Sequence, residues 1–480
     1  MLPIEKFKSD TLYALNNKQL RSNFRLAMDG LIEKRRNAFR DPVEWQNLRN
    51  LGHAIRKKSL NNLADLLEKL EFNCKKNSIQ VHWAENTDDA NNIVLEIANN
   101  SGAKSVVKGK SMVSEEMELN EFLQKHGIET LESDLGEYII QLEKELPSHI
   151  IMPAIHKNKD QISKIFAEKV DSKVSLDTAE EMTKMARKVL RQKFFSADIG
   201  ISGVNFAVAE TGTICLVENE GNGRFCTTLP PIHIAVMGIE KVVENLCDVP
   251  PLLSLLTRSA TGQDITTYFN MITSPRKSKE KDGPKEVHLI LLDNGRSHMC
   301  EDQLLKDTLL CIRCGACINH CPVYSRIGGH TYNSTYPGPI GKIFNPQING
   351  LDDSGYLADV SSLCGACVEV CPVKIPITNI LLRLRKNKVR KKIKIRKIRY
   401  NIFEEIKLIF FWKIWAIIFA NPILYRLKNF LISKIIYLSS SYFPIVREWT
   451  IVRALPKFPK KSLHQLVREK GFSGEKFSDN

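Results

Sequence analysis

Seven of the twelve cysteines fall between residues 311 and 371, at close and regular spacing. Cys311, Cys314, Cys317 and Cys321 stand in CIRCGACINHCP, a C-x2-C-x2-C-x3-C-P pattern. Cys364, Cys367 and Cys371 stand in SSLCGACVEVCP, a C-x2-C-x3-C-P pattern. Thiolates two residues apart can wrap one face of an iron–sulfur cube when the backbone between them forms a tight loop. Gly315, Ala316, Gly365 and Ala366 are small enough to let that backbone approach, so that its N–H groups stabilise the negative sulfurs. Pro322 and Pro372 then turn the chain away. Zinc also uses C-x2-C pairs, but it wants two separated pairs and explains neither the triplet nor the Cys-Pro endings. The chemistry expected is one-electron transfer, at potentials anywhere from roughly −700 to +450 mV.

In two-cluster ferredoxins the fourth cysteine of each run ligates the other cluster. On that rule Cys311, Cys314, Cys317 and Cys371 hold the first cluster, and Cys321, Cys364 and Cys367 hold the second. Ser361 stands where the missing fourth ligand belongs. The expected cofactors are two [4Fe–4S] clusters, or a second cluster of the [3Fe–4S] type. A four-iron second cluster could take the serine oxygen, a water or a distant ligand on its last iron. Cys74, Cys215, Cys226, Cys247 and Cys300 are scattered. Residues 1–23 lack the apolar run of a secretory signal, so a cytoplasmic location with reduced thiols is expected.

Residues 1–75 carry apolar positions at helical spacing over 24–32 and 60–70, with a helix start at Asp41-Pro42. Packing helices are the expectation there. Over 76–295, strand-like runs at 79–83, 105–107, 199–208, 213–217 and 287–292 alternate with helical patterns such as 87–101. That alternation indicates an α/β domain with a mainly parallel sheet. The polar stretch 273–286 reads as an exposed loop, and a boundary is expected near 295–300. Residues 300–382 are rich in Gly, Pro and Cys and form a small unit that needs its metal.

Of the net charge of +15, eleven Lys or Arg side chains lie in 383–399 with no acid among them. A solvated helix face, an acidic partner or an anionic membrane could each account for this run. Only Tyr400 adds an aromatic ring nearby, so nucleic acid is not expected. Within the tail 383–480, Lys407, Lys413, Arg426 and Lys428 interrupt the apolar stretches, which fall short of the ~20 residues of a membrane span. Amphipathic helices are expected, with peripheral contact at the inner face of the cell membrane as one option. Neither Lys108-Gly109-Lys110-Ser111 nor Gly221-Asn222-Gly223 completes a phosphate-binding or dinucleotide motif.

Taken with the cysteine motifs, 107–120, 133–142, 147–157 and 200–243 resemble the lactate utilization protein B family. The resemblance implies an α/β domain like that of sugar-phosphate isomerases and CoA-transferases, behind N-terminal helices and before a small ferredoxin-like helical domain. It also implies two partners, a cysteine-rich subunit like those of heterodisulfide reductase and a smaller protein with the same α/β domain. Together these oxidise L-lactate to pyruvate, and the downstream acceptor stays open. This chain would be the electron carrier; the alternative is an independent isomerase- or transferase-like enzyme. Glu210, Thr211, Glu218, Asn219 and Arg224 flank a short strand and could line a pocket, Arg224 pairing with a carboxylate. His149 and His156 are further pocket candidates, and Glu115, Glu116 and Glu137 are candidate acids or solvated helix faces.

Overall fold

The computed structural model describes residues 3–109, 111–170, 178–398, 402–439, 461 and 463–470. The chain divides into two compact units, Met1–Lys391 and Lys392–Asn480.

The first unit opens with helices Pro3–Asn16, Lys18–Ala38, Pro42–Asn61 and Leu63–Lys76. Asp41 caps the third, its carboxylate accepting from the Val43 N–H at 2.8 Å, with Pro42 in the first turn. Asn62 ends that helix and begins the next, so the periodic stretch 60–70 is broken in two.

Among the described residues ten strands follow: β1 (Gln80–Ala84), β2 (Ser105–Lys108), β3 (Glu129–Glu132), β4 (Ile199–Gly203), β5 (Phe206–Val208), β6 (Thr213–Glu218), β7 (Ile232–Gly238), β8 (Val242–Val243), β9 (Tyr268–Ile272) and β10 (Glu286–Leu292). Six form a wholly parallel sheet in the order β1-β10-β7-β4-β2-β3. The others make a small mixed sheet, β8-β5-β6-β9. Helices cover both faces of the main sheet. Ile232, Ile234 and Val236 of β7 pack with Ala90, Val94 and Ile97 of helix Thr87–Ser101. Ala235 and Met237 face the other way, onto Leu66, Leu67 and Leu70. A parallel strand buried on both faces loses its apolar–polar alternation, and every residue of β7 is buried.

The change in composition at 295–300 marks no gap in packing. Phe206, Val243 and Leu252 share one apolar core with Leu309, Leu310, Ile343, Ile380 and Leu381, so the cysteine-rich segment is built onto the α/β layers. The N-terminal helices bridge the two. Phe24 and Met28 pack on Ile318 and Tyr324. Arg56, 1% exposed, donates to the carbonyls of Leu310 (3.3 Å), Val242 (3.1 Å) and Leu309 (2.9 Å), and also to that of Glu240. Burial pulls its pKa down to about 10, which leaves it charged at neutral pH.

In the second unit, Ile402–Ala420 and Pro422–Ser439 are helical, and the apolar stretches Ile409–Ala420 and Pro422–Leu431 meet at 102°. Ile409, Phe410, Phe411, Trp412, Ile414 and Trp415 are all exposed. Lys413 apart, the first helix is therefore apolar all round over this stretch, where an amphipathic one was expected. No single helix among the described residues is long and apolar enough to cross a membrane. Residues 399–401 and 440–460 of the tail, and Lys110, lie outside the described residues.

Arg56→Met removes the buried cation and leaves four carbonyls without their donor. A loss of about 3 kcal/mol is expected, read as a lower urea midpoint in far-UV circular dichroism. An unchanged midpoint would show that the bridge does not hold the layers together.

Candidate iron–sulfur centre

The two cysteine motifs fold as copies of one loop, fifty residues apart. In each, a residue with left-handed φ precedes the C-x2-C pair: Arg313 at 60° and Leu363 at 55°. Gly315 (74°) and Gly365 (84°) supply a second left-handed turn inside the pair. One helical turn follows, Ala316–Asn319 and Ala366–Glu369, and these two turns pack on each other. Backbone N–H groups turn toward the sulfurs, Arg313 donating to Cys311 Sγ at 3.3 Å and Ile375 to Cys371 Sγ at 3.3 Å.

The thiols gather into two sets. Cys317 is pushed well up in pKa by burial and then by Cys311, Cys314 and Cys371, with Cys367 next. Burial pushes Cys314 up to about 12, and Cys311 and Cys371 add to the effect. Burial pushes Cys367 up to about 12 as well, and here the neighbours are Cys321 and Cys364. All twelve cysteines are free of disulfides. Crowded, buried thiols like these stay protonated by themselves, and a cationic iron core is what would take them as thiolates. The donor set therefore fits iron–sulfur clusters.

The first set is the better covered, with none of its four cysteines exposed. Arg49 donates to the carbonyls of Cys371 (2.7 Å) and Val368 (2.6 Å), and His53 Nδ1 lies 2.9 Å from the carbonyl oxygen of Val373. Arg313 runs from the first loop over Tyr336 and Phe344 to Glu240, just beyond β7, at 3.5 Å. Glu240 also pairs with buried Arg296 at 2.7 Å, and Arg296 with Glu116 at 2.9 Å. Burial alone would raise the Glu240 pKa, but Arg296, Lys241 and Arg313 hold it at about 2. The second set opens on a recess of about 320 Å³, its mouth included, lined by Cys321, Cys364, Cys367, Ser361, His320 and Lys342 among others. Lys342, 1% exposed, sits with Nζ 3.7 Å from Cys321 Sγ.

Residues 67–292 match the LUD domain, 307–375 the 4Fe-4S dicluster domain, and 381–472 the domain described as Lactate utilisation protein B, C-terminal. Lactate utilization protein B of Bacillus subtilis is 44% identical over 388 residues, 81% of each chain. The chain belongs to the lactate utilization protein B family. The Anoxybacillus flavithermus member of that name is 39% identical over 465 residues, 95% of this chain and 96% of its own. An Escherichia coli relative, described as the uncharacterized electron transport protein YkgF, is 46% identical over 71% of this chain and 72% of its own. A DUF162 family structure from Deinococcus radiodurans covers 48% of this chain and 98% of its own at 13% identity, with a TM-score of 0.25.

In this family member the candidate pocket residues lie in three separate places. Glu210 and Thr211 sit at the β5–β6 turn, Glu210 accepting from the Leu246 N–H at 3.0 Å and the Thr211 hydroxyl bonding Thr213 at 2.7 Å. Glu218 closes the far end of β6, accepting from the N–H groups of Gly223 and Arg224, both at 2.6 Å. Asn219 accepts there from the Thr267 N–H at 3.1 Å, and Arg224 stacks on Phe225 and Tyr268. His149 lies against the first cysteine motif instead, its Nδ1 accepting from the Ile151 N–H and its Nε2 donating to Asn319 at 2.9 Å. His156 pairs with Glu145 at 2.6 Å, and Lys157 does the same. Burial opposes charge on Glu145, yet these two partners hold its pKa at about 2. Glu115 and Glu116 are not solvated faces, since Glu115 pairs with buried Lys108 and Glu116 with Arg296. Glu137 is buried as well.

Lys342, Arg49 and Glu240 were not singled out from sequence. Lys342 had a usable signal, being the one charge in the helix GPIGKIFNPQI. Lys342→Met should lower the midpoint potential of the second cluster by about 40 mV or more, the one-electron equivalent of ~1 kcal/mol, because the cation favours the reduced, more negative state. A redox titration followed by EPR checks this, and an unmoved potential would rule the lysine out as a tuning charge.

Proposed function

We propose that this chain is the electron-carrying subunit of a multi-subunit system that oxidises L-lactate to pyruvate. The observation that carries the reading is the pair of adjoining thiol sets, in which Cys371 of the second motif lies among the thiols of the first. Cys311, Cys314, Cys317 and Cys371 would hold one [4Fe–4S] cluster, and Cys321, Cys364 and Cys367 the other. When bound, the clusters supply one-electron transfer, and two of them match the two electrons released from L-lactate, whose two protons go elsewhere. The chain's own residues position and tune: Arg313 and Arg49 fix the first loop and its neighbour, and Lys342 places a positive charge beside Cys321. The scatter of the pocket candidates supports lactate being handled by a partner. The partners proposed are a cysteine-rich, heterodisulfide-reductase-like subunit and a smaller LUD protein. Anaerobically purified protein should show lactate-dependent bleaching of its visible absorbance only with those partners present. Bleaching by lactate with this chain alone would favour an enzyme in its own right, and none with the partners would sink the proposal.

The tail is proposed to rest on an anionic membrane surface. A helix apolar on every side but for Lys413, with exposed Trp412 and Trp415, favours an apolar medium, and the basic run 383–399 complements acidic headgroups. The full chain should co-sediment with vesicles containing phosphatidylserine and less with pure phosphatidylcholine vesicles, and Trp415→Glu should weaken both. Equal recovery without vesicles would count against the membrane.

A further inference from the structure

We propose that the Ser361 hydroxyl oxygen is the fourth protein donor of the second cluster, bound to the one iron that no cysteine reaches. The inference rests on the two-cluster reading above and adds a ligand to it. Ser361 holds the place of Cys311 in the repeated loop, three residues before Cys364 as Cys311 is before Cys314. The local geometry is the same. The Leu363 N–H donates to Ser361 Oγ at 3.2 Å, as the Arg313 N–H donates to Cys311 Sγ at 3.3 Å. Both donating residues are left-handed, at 55° and 60°. The loop thus presents an oxygen where its twin presents a sulfur.

Ser361 also lines the recess that Cys321, Cys364 and Cys367 line. Three other oxygen or imidazole side chains there could compete, and one of them, Thr378, corresponds to Gly328, which has no side-chain donor. Ser362 corresponds to Ile312, which is not a donor position in the twin loop. His320 corresponds to Val370, again no donor, and its Nδ1 is 2.9 Å from the Ala316 carbonyl oxygen. Binding breaks the serine O–H bond and forms an Fe–O bond. The proton leaves to solvent at the open mouth, and no electron moves. An alkoxide is a harder donor than a thiolate and favours the ferric state. Lys342, beside Cys321, offsets the added negative charge.

The test uses the full chain, reconstituted anaerobically, with iron and sulfide quantified and EPR recorded. The parent should hold about eight irons, as two four-iron clusters require. Ser361→Ala should fall to about seven irons and acquire the signal of an oxidised three-iron cluster, with the signal of the first cluster intact as a control for folding. Ser361→Cys should keep about eight irons and raise the midpoint potential of the second cluster. Ser362→Ala, His320→Gln and Thr378→Val should match the parent. The proposal is overturned if Ser361→Ala keeps the parent's iron and spectrum, or if His320→Gln loses the iron instead. A parent with about seven irons overturns it too while leaving two clusters in place, whereas about four irons removes the two-cluster reading itself.

Discussion

Glu240 is a buried carboxylate that two cations share, and the arrangement of the first unit turns on it. Arg296, which follows β10, reaches it from the sheet, and Arg313 reaches it from inside the first cysteine loop. Removing one partner from a buried ion pair costs about 3–5 kcal/mol, because the remaining charge has no water to turn to. The cysteine loop therefore cannot lift from the sheet without stranding a charge. Arg56 adds to the constraint by binding the Glu240 carbonyl together with those of Leu309 and Leu310, just before Cys311. The metal-binding segment shares its apolar core with the α/β layers, and these buried ionic anchors add a directional constraint that fixes its geometry.

The repeat is symmetric in backbone and asymmetric in surroundings. Both loops use the same pair of left-handed residues and the same helical turn. In the first, the side chain before the C-x2-C pair is Arg313, which is drawn into the protein. In the second it is Leu363, flanked by exposed Ser362 and Cys364. Arg49 and His53 of helix Pro42–Asn61 close over the end of the second motif, where Cys371 joins the first thiol set. The N-terminal helices thus act as a cover for one site and leave the other open.

The cysteine spacing was fully legible in sequence, because a loop that wraps a cluster needs short, fixed separations whatever surrounds it. The α/β character was legible too, and helix Thr87–Ser101 and strands β1, β2, β6 and β10 fall where their patterns indicated. Strand β7 was missed, since IHIAVMG is buried on both faces and shows no alternation. The run 199–208 reads as one strand, yet it breaks at Val204-Asn205 and feeds two different sheets. Pairings such as Glu116 with Arg296 join residues 180 positions apart, and no local pattern marks them. The same holds for the pocket candidates: turns at the two ends of β6 are neighbours in sequence but sit a strand's length apart.

Access then separates the roles of the two thiol sets. The first set lies against Arg49 and the Glu240 network, with Cys314 and Cys371 buried and Cys311 and Cys317 partly so. The open set has Cys364 at the surface and a recess beside it, so it is the one an external redox centre can approach most closely. Exposure also raises the local dielectric and weakens every charge acting on that site except those that are buried with it. Lys342 is such a charge, 1% exposed and aimed at Cys321. The more open site thus keeps one cation in the interior, where solvent screens it least.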